Sequence, residues 1–96
     1  GRMHRTKLLA LLRCPEDHTA LTPIDDVTLR QLNEAIRSGR INNRGGRVIE
    51  ETLEIALLRA AGDIVYPIAH GIPLLLRDEG ILLSQLRHDD KTNRAE

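Results

Sequence analysis

Apolar and polar positions change period several times along the chain, and each change predicts an element. Residues 6–12 (TKLLALL) place Leu8, Leu9, Leu11 and Leu12 at helical spacings. Thr6 can cap this short helix, and Pro15 stops it running far past Cys14. Residues 19–24 alternate loosely and predict a strand whose Pro23 suits a sheet edge. The strongest helical period covers 25–38, where Val27, Leu29, Leu32, Ala35 and Ile36 recur at three- and four-residue steps. Asp25 or Asp26 can cap it, and Gly39 is a natural stop. Asn42-Asn43 and Gly45-Gly46 then tolerate positive φ and predict a turn or hairpin. Residues 53–58 read as a strand, 60–63 as a turn and 64–68 as the returning strand. A second turn, residues 70–73, leads into Leu74, Leu75 and Leu76. Asp78-Glu79 is expected to open a C-terminal helix over Ile81, Leu82, Leu83 and Leu86. From His88 onward nothing remains to bury, so 88–96 is expected to be a mobile tail.

These elements predict one α+β domain over residues 1–87, a small antiparallel sheet of three or four strands carrying two or three helices. Composition sharpens the picture. The chain has 96 residues, 41% of them apolar, yet Tyr66 is its single aromatic. The core must be aliphatic, built from 16 Leu, 9 Ile and 3 Val. Fourteen basic and fourteen acidic residues cancel, so no global field attracts nucleic acid or a membrane. One tyrosine offers no base-stacking platform for single strands. A lone cysteine, Cys14, excludes an internal disulfide and a four-cysteine zinc site. No apolar run approaches the roughly 20 residues of a membrane span, and no signal-type segment follows the N-terminal charges. The expectation is a soluble, cytoplasmic chain without a cofactor.

Candidate chemistry is sparse. Cys14, Asp17, His18 and His70 are the ligand-type residues near turns, but no second Cys or His pair follows at zinc spacing. Cys14 reads as a small buried hydrophobe beside polar residues. Pairing it with His18 or His70 as a nucleophile lacks an orienting group and an oxyanion-hole glycine. Ser38 and Ser84 sit where serine caps a helix or faces solvent. The carboxylate pairs Asp25-Asp26, Glu50-Glu51, Asp78-Glu79 and Asp89-Asp90 lie in solvated, turn-like settings. No phosphate-binding glycine frame exists. Arg37, Arg40, Arg44 and Arg47 fall within eleven acid-free residues, and Arg2, Arg5, Lys7 and Arg13 form a second basic cluster. Together they could touch RNA phosphates; a solvated arginine loop is the plainer reading. The stretch VYPIAHGIPLLL is stiffened by two prolines, while Gly71 permits a turn that other residues avoid. It reads either as a core-forming turn or as a rigid apolar surface for a partner, comprising Tyr66, Pro67, Ile68, Gly71, Ile72 and Pro73, with Tyr66 as anchor.

Two motifs carry a resemblance. Leu8, Leu9, Leu12, Cys14 and Pro15 fit L-L-x-x-L-x-C-P. Tyr66, Pro67, Ile68, Gly71, Ile72, Pro73, Leu75, Leu76 and Glu79 match the downstream Y-P-I-x-x-G-I-P motif and the run after it. Together they resemble a family of small zinc-ribbon-like proteins that includes the obligate activating subunits of tRNA, rRNA and release-factor methyltransferases, and short bacterial members. The likeness covers roughly residues 7–24 and 47–83, with the helix near 25–39 as an insertion. Zinc-bearing relatives carry CPxC at the first site and two cysteines seven and four residues before the aromatic of the second motif. Here those positions hold Asp17, Arg59 and Gly62, leaving only Cys14. The resemblance implies a zinc-ribbon-like core without its metal, whose stability must come from the aliphatic core and the added helix.

The expected function is that of a non-catalytic adaptor, not an enzyme. It would bind and stabilise or activate a partner enzyme, an S-adenosylmethionine-dependent methyltransferase acting on translation components. The alternatives are an RNA-contacting module using the Arg37, Arg40, Arg44 and Arg47 loop, or a self-associating domain that pairs its sheet edge as a homodimer. An enzyme built on Cys14 and a histidine is the weakest of the readings.

Overall fold

The computed structural model of the chain describes residues 11–86. The expected helix at 6–12 falls almost entirely outside them, and the expected tail at 88–96 wholly so. The described chain runs through β1 (Leu21–Pro23), α1 (Asp26–Arg37), β2 (Ala56–Arg59), β3 (Ile64–Ala69), β4 (Ile72–Pro73), a 3₁₀ turn (Arg77–Glu79) and β5 (Ile81–Leu82). The architecture is α+β with a small antiparallel sheet ordered β1-β2-β3-β4, and β5 also pairs with β3. Since β2 occupies one side of β3, β4 and β5 share the other: β4 lies against Ile68 and Ala69, β5 against Ile64 and Val65. Prolines stand in both short outer strands, Pro23 in β1 and Pro73 in β4, where a missing N–H is tolerated.

Strand alternation divides the core into two layers. On one face, Ala56, Val65 and Ile81 pack against Leu32, Ala35 and Ile36 of α1, with Ile24 and Ile41 closing the sides. On the other, Leu57, Ile64 and Tyr66 pack with Cys14 and Leu21, under Leu12, Ile68 and Leu75. The helix follows its apolar period closely, although Val27 is 52% exposed and off the buried stripe. Asp25 holds the N-cap position without a side-chain capping bond. At the other end the N–H of Gly39 bonds the Ile36 carbonyl and that of Arg40 the Ala35 carbonyl, with Gly39 at φ +75°. That double closure needs a left-handed residue, which is what glycine supplies at this stop.

One expected element is replaced. Ile81 and Leu82, assigned to a C-terminal helix, form β5 instead, with Val65 opposite Ile81. An open ladder on β3 offers Ile81 a fully buried seat, which outweighs the helical period; among the described residues of this segment, 84–86 are helical. Gly80 makes this approach possible, because a Cβ there would lie 3.0 Å from Ile64 and 3.2 Å from the Tyr66 ring.

Side-chain amides fix the long connection between α1 and β2. Asn33 donates to the Leu53 carbonyl and accepts from the Leu53 N–H, both at 2.8 Å. Gln85 engages both backbone groups of Asn42 at 3.0 Å, and Asn43 accepts the Arg47 N–H at 2.9 Å. The Asn/Gly segment is a bridged turn, with Asn42 opposite Val48, as its composition predicts.

A candidate functional site around Cys14 and Arg59

Four turns meet at one end of the sheet. Residues 13–20 fold back on themselves: Arg13 bridges Ala20, the Cys14 N–H bonds the Thr19 carbonyl at 2.9 Å, and the His18 N–H bonds the Cys14 carbonyl at 2.9 Å. His18 reaches this shape at φ 64°. Asp17 accepts from the Thr19 N–H at 3.0 Å and the Thr19 hydroxyl at 2.8 Å. The loop at 44–46 is held to the chain after β4 by bonds from Arg44 N–H to the Gly80 carbonyl and from Gly45 N–H to the Asp78 carbonyl.

Beneath these turns Cys14 and Tyr66 are wholly inaccessible. The Cys14 Sγ lies 3.1 Å from the Tyr66 hydroxyl and receives the Glu16 N–H at 3.4 Å. Tyr66 is thus a core residue, not the exposed anchor expected from the sequence. Strand alternation aims its ring into the lower layer, where its hydroxyl finds the thiol. Pro67 is buried as well, whereas Gly71 and Ile72 are exposed and Ile68 and Pro73 half-buried. A thiol with no accessible surface cannot reach a substrate, and the imidazoles of His18 and His70 are not among its hydrogen-bond partners.

Above the thiol lies the Arg59 guanidinium. Its Nε and Nη2 donate to the two Asp63 oxygens at 2.8 and 2.9 Å, a fork matched to a carboxylate. Its Nη1 faces Glu16 at 3.3 Å, Asp17 at 3.4 Å and the Cys14 sulfur at 3.9 Å. Arg44 grips Glu16 at 2.6 Å, and Arg77 approaches Glu16 at 3.7 Å and Asp78 at 3.2 Å. Arg44 is therefore not a free RNA-facing cation, because its charge is answered by Glu16. Arg37, Arg40 and Arg47 lie at exposed positions. Sequence reading missed Glu16 and Asp63 altogether. The one available signal was the opposite charges of Arg59 and Asp63 flanking a tight turn.

The network fixes the ionisation of its members. The Thr19 hydrogen bonds hold the Asp17 carboxyl at about 2. Bonding to Arg44 lowers Glu16, and bonding to Arg59 lowers Asp63. Burial, followed by the thiol contact, pushes the Tyr66 hydroxyl above its ordinary value. Each depressed carboxylate stabilises the fold above its unfolded pKa near 4 and loses that contribution as pH falls through the folded value. Tyr66 has the opposite sign, since its stabilisation is complete below about 10 and is lost as pH rises. Urea unfolding as a function of pH is expected to show a plateau at neutral pH, a fall from about 4 toward 2 and a second fall above about 10. Added salt should flatten the acid limb, because Glu16 and Asp17 are partly exposed.

The donor set does not suit the zinc implied by the resemblance. One thiol is present, and a permanent cation already sits within 4 Å of it and of three carboxylates. Among the described residues no group of three or more His, Cys, Asp or Glu is placed to hold a metal. No described helix is long and apolar enough to cross a membrane.

Fold and site together define a small α+β protein whose turns are tied by an arginine–carboxylate cluster over a buried thiol. No family model matches the chain, and no curated protein does. Among solved structures, the solution NMR structure of XF2673 from Xylella fastidiosa is similar, with a TM-score of 0.69 and 32% sequence identity over 86% of each chain. The chain belongs to the same family as that protein.

Proposed function

We propose that this protein is a non-catalytic adaptor that binds and stabilises a partner enzyme, an S-adenosylmethionine-dependent methyltransferase acting on translation components. The observation that carries the reading is Ile72, 63% exposed, with Leu76, 66% exposed, in the segment whose Y-P-I-x-x-G-I-P motif resembles methyltransferase activators. The preceding turn is tight, His70 and Gly71 taking φ of 52° and 80°. Ile72 and Pro73 pair back onto Ala69 and Ile68. An apolar side chain beside so short a hairpin loses little conformational freedom on docking. The resemblance suggests the partner class, and the exposure of Ile72 and Leu76 supports a docking surface.

The test is a tagged pull-down from the native organism, with the double variant Ile72→Asp/Leu76→Asp beside wild type. Wild type is expected to retain a stoichiometric methyltransferase that loses solubility or activity without this chain. The variant should keep its circular dichroism and thermal midpoint while its affinity falls by at least about tenfold. Recovery of the chain alone, or of RNA released at moderate salt, would retire the reading in favour of self-association or an RNA-contacting role through Arg37, Arg40 and Arg47.

A further inference from the structure

We infer that the Arg59 guanidinium is a built-in structural cation, occupying the position at which a bound metal would otherwise tie these turns together. The inference is independent of the adaptor reading and rests on geometry alone. Arg59 ends β2, opposite Leu21 of β1, so its side chain projects where the 13–20 turn folds back. From there one planar group faces sulfur and carboxylate ligand types contributed by two separate turns: Cys14, Glu16 and Asp17 from one, Asp63 from the other. Soft sulfur and hard oxygen donors gathered around one positive centre are what a divalent cation would gather. Here the centre is covalently attached, only 14% exposed, and held in orientation by the Asp63 fork. A second cation cannot enter without displacing the first.

A tethered cation differs from a metal in two measurable ways. Its effect does not depend on metal concentration and is untouched by a chelator, yet it disappears on mutation. Without the guanidinium, Cys14, Asp17 and Asp63 would lose the cation they share, and Glu16 would keep only Arg44 and Arg77. That is costly to the fold and attractive to an added metal ion.

Thermal unfolding of the intact chain, with zinc chloride or with EDTA, tests this in wild type, Arg59→Ala, Arg59→Lys and Arg59→Ala/Cys14→Ser. Wild type is expected to have the same midpoint in zinc and in EDTA. Arg59→Ala should melt on the order of 5 °C lower or more, and zinc should recover part of that loss. The recovery should be absent when Cys14→Ser is added. Arg59→Lys keeps the charge but not the fork, so it should fall between wild type and Arg59→Ala in EDTA. If Arg59→Ala does not fold, wild type and Arg59→Lys still decide the matter. A wild-type midpoint that rises with zinc or falls with EDTA would overturn the inference, and so would an Arg59→Lys midpoint equal to wild type. Failure of zinc to raise a folded Arg59→Ala would also overturn it. None of these outcomes bears on whether the exposed Ile72 surface binds an enzyme.

Discussion

Replacing Tyr66 with alanine is expected to cost about 3–5 kcal/mol, the range for emptying a buried aromatic site. That is a large share of the stability of a 96-residue domain, on the order of 5–15 kcal/mol. The reason is position. The ring is fully enclosed by Cys14, Leu21, Leu57 and Ile64, and Gly80 runs against its edge. Tyr66→Phe keeps the ring and removes the hydroxyl that meets the Cys14 sulfur at 3.1 Å, so it should cost about 1 kcal/mol. Urea unfolding followed by far-ultraviolet circular dichroism separates the two. Cys14→Ala in a double-mutant cycle with Tyr66→Phe then gives the coupling of thiol and phenol. An unchanged midpoint for Tyr66→Ala would place the side chain outside the core. The same contrast bears on function: a charged residue at the buried position 66 is expected to unfold the domain, whereas one at the exposed Ile72 is expected to leave it folded, so only the latter reports on a partner.

Leu32→Ala is the second large effect, expected at about 2–5 kcal/mol. Leu32 is wholly buried at the centre of the layer that α1 forms with Ala56, Val65 and Ile81. The size of the loss tests whether the helix that resembles an insertion is a necessary part of the core. Val27→Ala on the same helix is the control, expected within about 0.5 kcal/mol because Val27 is half-exposed. Equal losses at the two positions would mean that α1 does not dock through the face described.

Much of the fold was legible before any coordinates. The helix was marked by Leu32, Ala35 and Ile36 on one stripe and Gly39 beyond it. Strands β2 and β3 were marked by apolar runs, β-branched and aromatic in β3, around a turn of small and acidic residues. Those signals are local, and local chemistry decides them. The segment Ile81-Leu82 misled because helix and strand tolerate the same four apolar residues, and only the vacant side of β3 selects between them. Tyr66 misled for a related reason: a period-two strand offers two faces, and the sequence does not reveal that both are covered.

By itself the sequence determined the fold class, the aliphatic character of the core and the exclusion of a disulfide or four-cysteine site, because each follows from composition or short-range period. The resemblance likewise rests on sequence motifs. Tertiary structure alone decided which charges meet. Glu16, Arg44, Arg59, Asp63 and Arg77 are scattered over more than sixty positions, yet ion pairs join them across four turns. Charge pairing depends on distance in space, which chain order does not specify, so a sequence with zero net charge conceals the local cluster that secures the buried thiol.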